Sequence, residues 1–307
     1  MKFVQAKNFN PIFTQFLQKN SGSWYPGGMK TKGWIALDID GTITLDKYSV
    51  PDPVVDFLRR LTSEGWNLAM ATGRPLAFGA MALSKFDFPY TFLAQNGSAA
   101  LEMPSRELLF KKYIEPKKIS LFEEAYLGID SDFLIYAGYE KGDFCYWRPG
   151  RFSSDELSYL SDLQKRQKEK WVSLDHFQHL DPFPLVKCFG SEPKMNLVAS
   201  RLRATGQFQV ARIRDPFVEG CFILLVTDIQ ASKGASLREL FRLKGRGPLV
   251  IAAGDDENDI TLLEAADIKI AMAHAPEILQ KGATFIAPPT KDLGIIHALT
   301  MAIRNGN

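Results

Sequence analysis

Asp38-Ile39-Asp40-Gly41-Thr42 sets two carboxylates at i and i+2, on one side of a chain that is still extended, and follows them with a glycine that permits a tight turn. Such a pair can divide labour, one carboxylate attacking while the other shuttles a proton. A carboxylate nucleophile forms an aspartyl-phosphate in phosphoryl transfer, and that acyl phosphate is reactive enough to be hydrolysed next. The same residues also suit a strand-to-turn junction whose acids hydrogen-bond the backbone. Gly254-Asp255-Asp256-Glu257-Asn258-Asp259 is a second acid-dense run. Carboxylates this close repel one another unless a cation neutralises them, and an all-oxygen set without His or Cys suits Mg²⁺ rather than zinc. Helix N-capping by Asp255 or Asp256 is the alternative. Ala71-Thr72-Gly73-Arg74-Pro75 puts a hydroxyl and free backbone N–H groups at a helix start, an arrangement that binds phosphate, although a Thr before Gly is usually a cap. Lys233, in Ser232-Lys233-Gly234, could neutralise the nucleophile and the transferring phosphoryl oxygens, although a surface lysine is usually solvated.

The elements that must position these groups alternate. WIALD (34–38), WNLAMAT (66–72), TFLAQN (91–96), PLVIAAGD (248–255) and IKIAM (268–272) read as buried strands. Between them, Val54, Leu58 and Leu61 recur at helical spacing after Pro51 and Pro53, a helical stretch starts at Pro75, and SKGASLRELFRL and ENDITLLEAA read as helices. This alternation predicts an α/β fold, a doubly wound parallel sheet covered on both faces. Ligands of such sheets bind outside the carboxyl ends of the strands. Asp38 and Asp40, Thr72, Asn96 and Asp255 all fall at those ends, so distant segments are expected to converge on one crevice. From about 114 to 226 the pattern changes to short strand-like runs (FLIYAGY, FCYWRPG, PLVKCFG, FILLV) and two longer helical patterns, around 118–127 and 154–170. The expected organisation is an N-terminal extension and linker (1–33), a core (34–113), an inserted α+β domain (114–226) and the rest of the core (227–307).

Composition sets the bounds. The 307 residues are 46% hydrophobic and 23% charged, the profile of a globular chain. Lys plus Arg (37) nearly cancels Asp plus Glu (35), so no global field attracts nucleic acid or an anionic membrane, and any anion must be held by a local site. No apolar run reaches the ~20 residues that span a bilayer and the start carries no secretory pattern, so a cytoplasmic location is expected. Cys145, Cys188 and Cys221 are scattered without metal spacing and read as buried thiols. Phe9, Ile12, Phe13, Phe16 and Leu17 suggest a short helix after Pro11, followed by a Ser/Gly/Pro linker at 21–28. Met29-Lys30 repeats Met1-Lys2, which leaves open a docking helix or a later start.

DIDGT at Asp38, ATGRP with Thr72, Lys233-Gly234 and GDDENDI with Asp255, Asn258 and Asp259 resemble, in this order, the four motifs of the haloacid dehalogenase (HAD) superfamily of phosphohydrolases. QNG at Asn96 and the placing of the insert resemble its Cof-type branch, with a class IIB cap over a Rossmann-like core. The resemblance implies Asp38 as nucleophile and Mg²⁺ ligand, and Asp40 as general acid/base that meets the metal through its backbone carbonyl. It implies Asp255 as a direct metal ligand and Asp259 as one through water or behind the ligands. Thr72 and Lys233 would bind the phosphoryl group, Asn258 would hydrogen-bond the phosphate side, and Gly73, Arg74 and Asn96 would line or support the crevice. Asp256 and Glu257 receive no role. The implied activity is a Mg²⁺-dependent phosphatase acting on small phosphorylated metabolites such as sugar phosphates. A dedicated sucrose-phosphate or mannosyl-3-phosphoglycerate phosphatase, a phosphomutase, and a regulator without turnover are the rival classes. In the cap, Tyr146, Trp147 and Arg148, and separately Lys187, are the candidate specificity residues, because an aromatic beside a cation suits a sugar or a second phosphate; the alternative is that Trp147 is core and Arg148 and Lys187 are solvated. His176 and His179 lack a third metal ligand, and His274 and His297 read as surface or packing residues.

Overall fold

The computed structural model describes residues 31–46, 48–167, 169–215 and 218–306. The helix and linker expected within residues 1–28 lie outside the described residues. β1 (Gly33–Asp38), β2 (Trp66–Ala71), β3 (Tyr90–Ala94), β4 (Ala99–Met103) and β5 (Glu107–Lys111) open the chain. An insert follows with β6 (Leu134–Tyr136), β7 (Cys145–Trp147), β8 (Trp171–Ser173), β9 (Leu185–Ser191), β10 (Phe208–Arg214) and β11 (Cys221–Asp228). The chain then returns with β12 (Leu249–Gly254), β13 (Ile268–Met272) and β14 (Phe285–Ala287). Among the described residues, eight strands make one sheet in the order β14-β13-β12-β1-β2-β3-β4-β5, and six make a second in the order β10-β11-β9-β6-β7-β8.

β1 explains the continuous apolar run. Ile35 and Leu37 pack with Val54, Leu58 and Leu61 of helix Asp52–Ser63 and with Ala298 and Leu299 of helix Gly294–Gly306. Trp34 and Ala36 point the other way, to Leu237 and Leu240 of helix Lys233–Lys244 and to Leu262. A strand covered on both faces needs apolar residues at every position. The parallel ladder runs from β14 through β3. Beyond it the sheet departs from the all-parallel expectation, because β3, β4 and β5 pair antiparallel. The reversal occurs in Gln95-Asn96-Gly97, three successive left-handed residues with φ of 48°, 57° and 88°.

The insert holds more than the sequence pattern reveals. Besides helices Ile119–Ala125 and Ser154–Gln167 it contains helix Glu192–Ala204 and strands β8 and β10. Lys194, Asn196 and Arg201 interrupt the apolar periodicity of helix 192–204, and β10 (FQVARIR) is a sheet edge with two arginines. Helices 119–125 and 192–204 cover one face of the second sheet over Ile135, Val186, Cys188, Leu224 and Val226. The other face, with Tyr136, Leu185, Phe189, Ile223 and Leu225, is shared by Leu160 and Leu163 of helix 154–167 and by the crevice described below. Cys145, Cys188 and Cys221 are free thiols, the first two buried and Cys221 half-buried.

Hydrogen bonds tie the insert to the elements around the first sheet. Ser98 Oγ donates to the Pro184 carbonyl at 2.7 Å, and the Ala77 N–H donates to Asp143 Oδ2 at 2.8 Å. Burial pushes the Asp143 carboxyl from the ordinary 3.8 up to about 6. A raised carboxyl pKa means that the folded chain holds the proton more tightly than the unfolded one. Its contribution is therefore full below about pH 4 and is lost as pH rises through about 6. Asp143→Asn retains an acceptor for Ala77 and cannot ionise. Urea unfolding from pH 4 to 7 is expected to show the variant gaining on the parent as pH rises; a pH-independent difference would refute the assignment.

Candidate active site

Every group singled out in the core lies at or beside the carboxyl edge of the first sheet. Asp38 ends β1 and is 3% exposed; its Oδ1 accepts from Lys233 Nζ at 2.6 Å. Lys233 opens helix Lys233–Lys244, whose N-cap Ser232 accepts from the Ala235 N–H. Gly234 allows this placement: a Cβ there would sit 1.8 Å from the Thr261 carbonyl oxygen, so another residue would push the helix away from its neighbour. Lys233 is wholly buried and also donates to Asp259 Oδ1 at 2.5 Å. Burial by itself would lower the Lys233 pKa, but the carboxylates of Asp259 and Asp38 overcome it and hold the ammonium above its ordinary range. The lysine is an interior ion-pair centre rather than a solvated surface group.

The acid-dense run performs two jobs at once. Asp256 caps the turn Glu257–Asp259 by accepting from the Glu257 N–H at 2.7 Å, and Asp259 Oδ2 reaches back to the N–H groups of Asp255 (3.0 Å) and Asp256 (3.2 Å). The capping alternative thus holds for Asp256, while Asp255 stays available. Only a short helix, Ile260–Glu264, follows. Asp38, Asp255 and Asp259 each offer a carboxylate oxygen within 4.8 Å of the others. Burial first, then Asp259, pushes the Asp38 and Asp255 carboxyls well above the ordinary carboxylate range, with Lys233 opposing. Asp38 Oδ2 is buried without a hydrogen-bond partner. An orphaned buried carboxylate oxygen facing two more carboxylates is costly unless a cation is shared among them. The all-oxygen donors fit a hard divalent ion.

Asp40 turns away from that cluster. Arg74, 5% exposed, donates Nε to Asp40 Oδ2 at 2.8 Å and a terminal nitrogen to Asp40 Oδ1, while its guanidinium lies 4.1 Å from the Phe78 ring centroid. This two-point grip fixes the plane of the second carboxylate. Gly41, at φ 76°, has no room for a Cβ, which would meet Asp255 Oδ2 at 2.1 Å. Thr72 is buried and its hydroxyl accepts from the Arg74 N–H at 3.1 Å, which closes a turn but caps no helix, since the helix that follows, Leu76–Ala82, has Pro75 at its N-cap and no side-chain cap. Asn96 donates its backbone N–H to the Thr72 carbonyl at 2.8 Å, and its side-chain oxygen is buried without a partner.

A cavity of about 280 Å³ opens above these groups. Asp38, Asp40, Gly73, Arg74, Asp255 and Asn258 line its core side; Leu163, Lys187, Ile213, Ile223 and Leu225 line the insert side. Thr72, Asn96, Lys233 and Asp259 are buried outside this lining. Of the insert candidates, Lys187 alone lines the cavity. Arg148 is corrected: it is clamped by Asp132 (2.7 and 2.6 Å) and Glu123 (2.6 Å), a structural ion-pair cluster. Trp147 packs on Trp171 and Phe152, and Tyr146 on Phe144. His176, His179 and His297 are exposed.

The sequence reading missed two contacts. His274, expected to be an ordinary surface or packing residue, puts Nε2 3.1 Å from Asp255 Oδ2, and Thr290 donates to the Gly41 carbonyl. Both lie just past the ends of β13 and β14. The strand-end rule applied to those strands would have flagged them.

The haloacid dehalogenase-like hydrolase family model matches residues 35–299. The chain is 26% identical over 275 residues to the putative phosphatase YxeH of Bacillus subtilis (strain 168), covering 86% of this chain and 96% of that protein. It is 25% identical over 274 residues to the phosphoglycolate phosphatase of Natronomonas pharaonis, covering 88% and 98%. Its fold is similar to the crystal structure of a haloacid dehalogenase-like hydrolase from Bacteroides thetaiotaomicron, with a TM-score of 0.70 at 25% identity over 89% of this chain and 100% of that one. With the catalytic-type motifs brought to one sheet edge and the match spanning both the first sheet and the insert, the chain belongs to the haloacid dehalogenase-like hydrolase family, among its phosphatases.

Proposed function

We propose that this enzyme is a Mg²⁺-dependent phosphatase that hydrolyses small phosphate monoesters through an aspartyl-phosphate on Asp38, with the insert, residues 114–226, acting as the cap. The observation that carries the reading is the meeting of Asp38, Lys233, Asp255 and Asp259 at one point, although Asp38 and Lys233 stand 195 positions apart in the chain. Relatives named phosphatases support the reaction class.

Asp38 attacks phosphorus through one carboxylate oxygen while its other oxygen would face the ion, and Lys233, bonded to Oδ1, holds the carboxylate in place and offsets the repulsion between two anions. Asp40, oriented by Arg74, protonates the departing alkoxide and then takes a proton from the water that cleaves the aspartyl-phosphate. The Thr72 hydroxyl and the Asn258 side chain bind phosphoryl oxygens, Gly73 leaves the backbone open to them, and Asn96 supports Thr72 from below. The ion would be held by Asp38, Asp255, Asp259 and the Asp40 backbone carbonyl. When bound it supplies positive charge against the phosphoryl oxygens and neutralises the crowded carboxylates.

Purified full chain with p-nitrophenyl phosphate is expected to turn over with Mg²⁺ and to stop with EDTA. Mg²⁺ at about one hundred times its dissociation constant is expected to stabilise the fold by about 2.7 kcal/mol in thermal melts, an effect that Asp255→Asn removes. Turnover indifferent to EDTA would overturn the metal assignment.

A further inference from the structure

We propose that Lys187 recognises a second anion on the leaving group, so that the enzyme selects phosphate monoesters whose alcohol portion carries a carboxylate or another phosphate. The proposal rests on the phosphatase reading above and names the substrate class of the same cavity.

Four cationic side chains are buried among the described residues: Arg74, Arg148, Lys187 and Lys233. Arg74 meets Asp40, Arg148 meets Asp132, and Lys233 meets Asp38 and Asp259. Lys187 differs from them. Its Nζ donates to the Tyr136 hydroxyl at 3.2 Å and lies 4.5 Å from that ring centroid, and no carboxylate of the described residues forms an ion pair with it. The Tyr136 hydroxyl donates onward to Glu169 at 2.9 Å, which aims the hydroxyl oxygen at the lysine and holds the ammonium in place. An ammonium has three donors, and here a single one is used. Leaving a buried cation short of partners is expensive unless a ligand completes it.

The position tells what that ligand is. Lys187 stands on β9 beside Leu225 of β11, on the sheet face that lines the cavity over Asp38 and Asp40. Around it, Leu163, Ile213, Ile223 and Leu225 offer no side-chain hydrogen bonds. Against this apolar patch a polyol would bury hydroxyls without partners, whereas a short chain ending in an anion would meet the buried ammonium of Lys187. Arg214, exposed at the cavity rim, adds positive potential, and the nearby Asp215 carboxylate already accepts from the Tyr159 hydroxyl and the Val218 N–H. The volume of about 280 Å³ suits a small leaving group.

The test compares kcat/KM of the Mg²⁺-loaded full chain on 2-phosphoglycolate, on a short-chain bisphosphate and on glycerol 3-phosphate, whose alcohol is neutral. The wild type is expected to prefer at least one anionic substrate by about tenfold or more. Lys187→Met is expected to cut that preference by about 10–100-fold, chiefly through KM, and Lys187→Arg to retain much of it. Loss on the carboxylate or on the bisphosphate identifies which anion is read, and either supports the proposal. A wild type without preference, or a Lys187→Met variant that loses equally on all three substrates, overturns it. If Lys187→Met does not fold, the wild-type ratio and Lys187→Arg decide. No turnover of any of the three by a wild type that hydrolyses p-nitrophenyl phosphate overturns the proposal alone, whereas a wild type inactive on p-nitrophenyl phosphate as well removes the phosphatase reading and the proposal with it.

Discussion

Asp38→Asn is expected to fold like the parent and to lose turnover by about 10⁴-fold or more, the scale on which removal of a covalent nucleophile acts. The amide matches the carboxylate in size, so the β1 terminus has no reason to move, and the amide oxygen of the variant can still accept from Lys233. What it lacks is a nucleophilic oxygen. The substitution also removes one negative charge from a close group of three, where burial first and then repulsion from Asp259 and Asp255 already disfavour ionised Asp38. Metal-free Asp38→Asn is therefore expected to melt no lower than metal-free parent. Rapid-quench single-turnover kinetics and a thermal melt check the two parts. A variant that keeps more than about a tenth of the parental rate would show that another group attacks.

Lys233→Met is expected to fail in both respects. The lysine is wholly buried and bridges Asp38 and Asp259, so its removal leaves two carboxylates facing each other without a counter-charge. Breaking a buried pair in this way costs about 3–5 kcal/mol. Loss of the positive charge beside the transferring phosphoryl group is expected to lower kcat by a further factor of about 10²–10³. Urea unfolding measures the first and steady-state kinetics on the folded fraction the second. Stability within about 0.5 kcal/mol of the parent would show that the bridge contributes nothing, contrary to the geometry. Unlike Asp38→Asn, this change separates a residue that reacts from one that also holds the site together.

The order of five of the eight strands of the first sheet, and most of the candidate site's members, were legible in the sequence because both arise from local causes. WIALD had to be a strand buried on both faces, and such a strand shows as an unbroken apolar run ended by its first polar residue. The acids at 38, 40 and 255 therefore announced the sheet edge. The insert was less legible. Its third helix and its edge strand mix charge into their periodicity, since each has one face in solvent and β10 has no partner beyond it among the described residues.

The sequence by itself determined which residues are the candidates for the chemistry and that they stand at strand ends. Only the tertiary structure decided their pairings: Arg74 on Asp40, Lys233 between Asp38 and Asp259, His274 on Asp255, Arg148 locked to Asp132, and Lys187 left facing the cavity. Residue type and periodicity report whether a side chain is buried, which is a property of its own element. Which charge it meets depends on the register and approach of elements distant in the chain, and at these sites on single atoms, as where Gly234 and Gly41 leave no space for a Cβ.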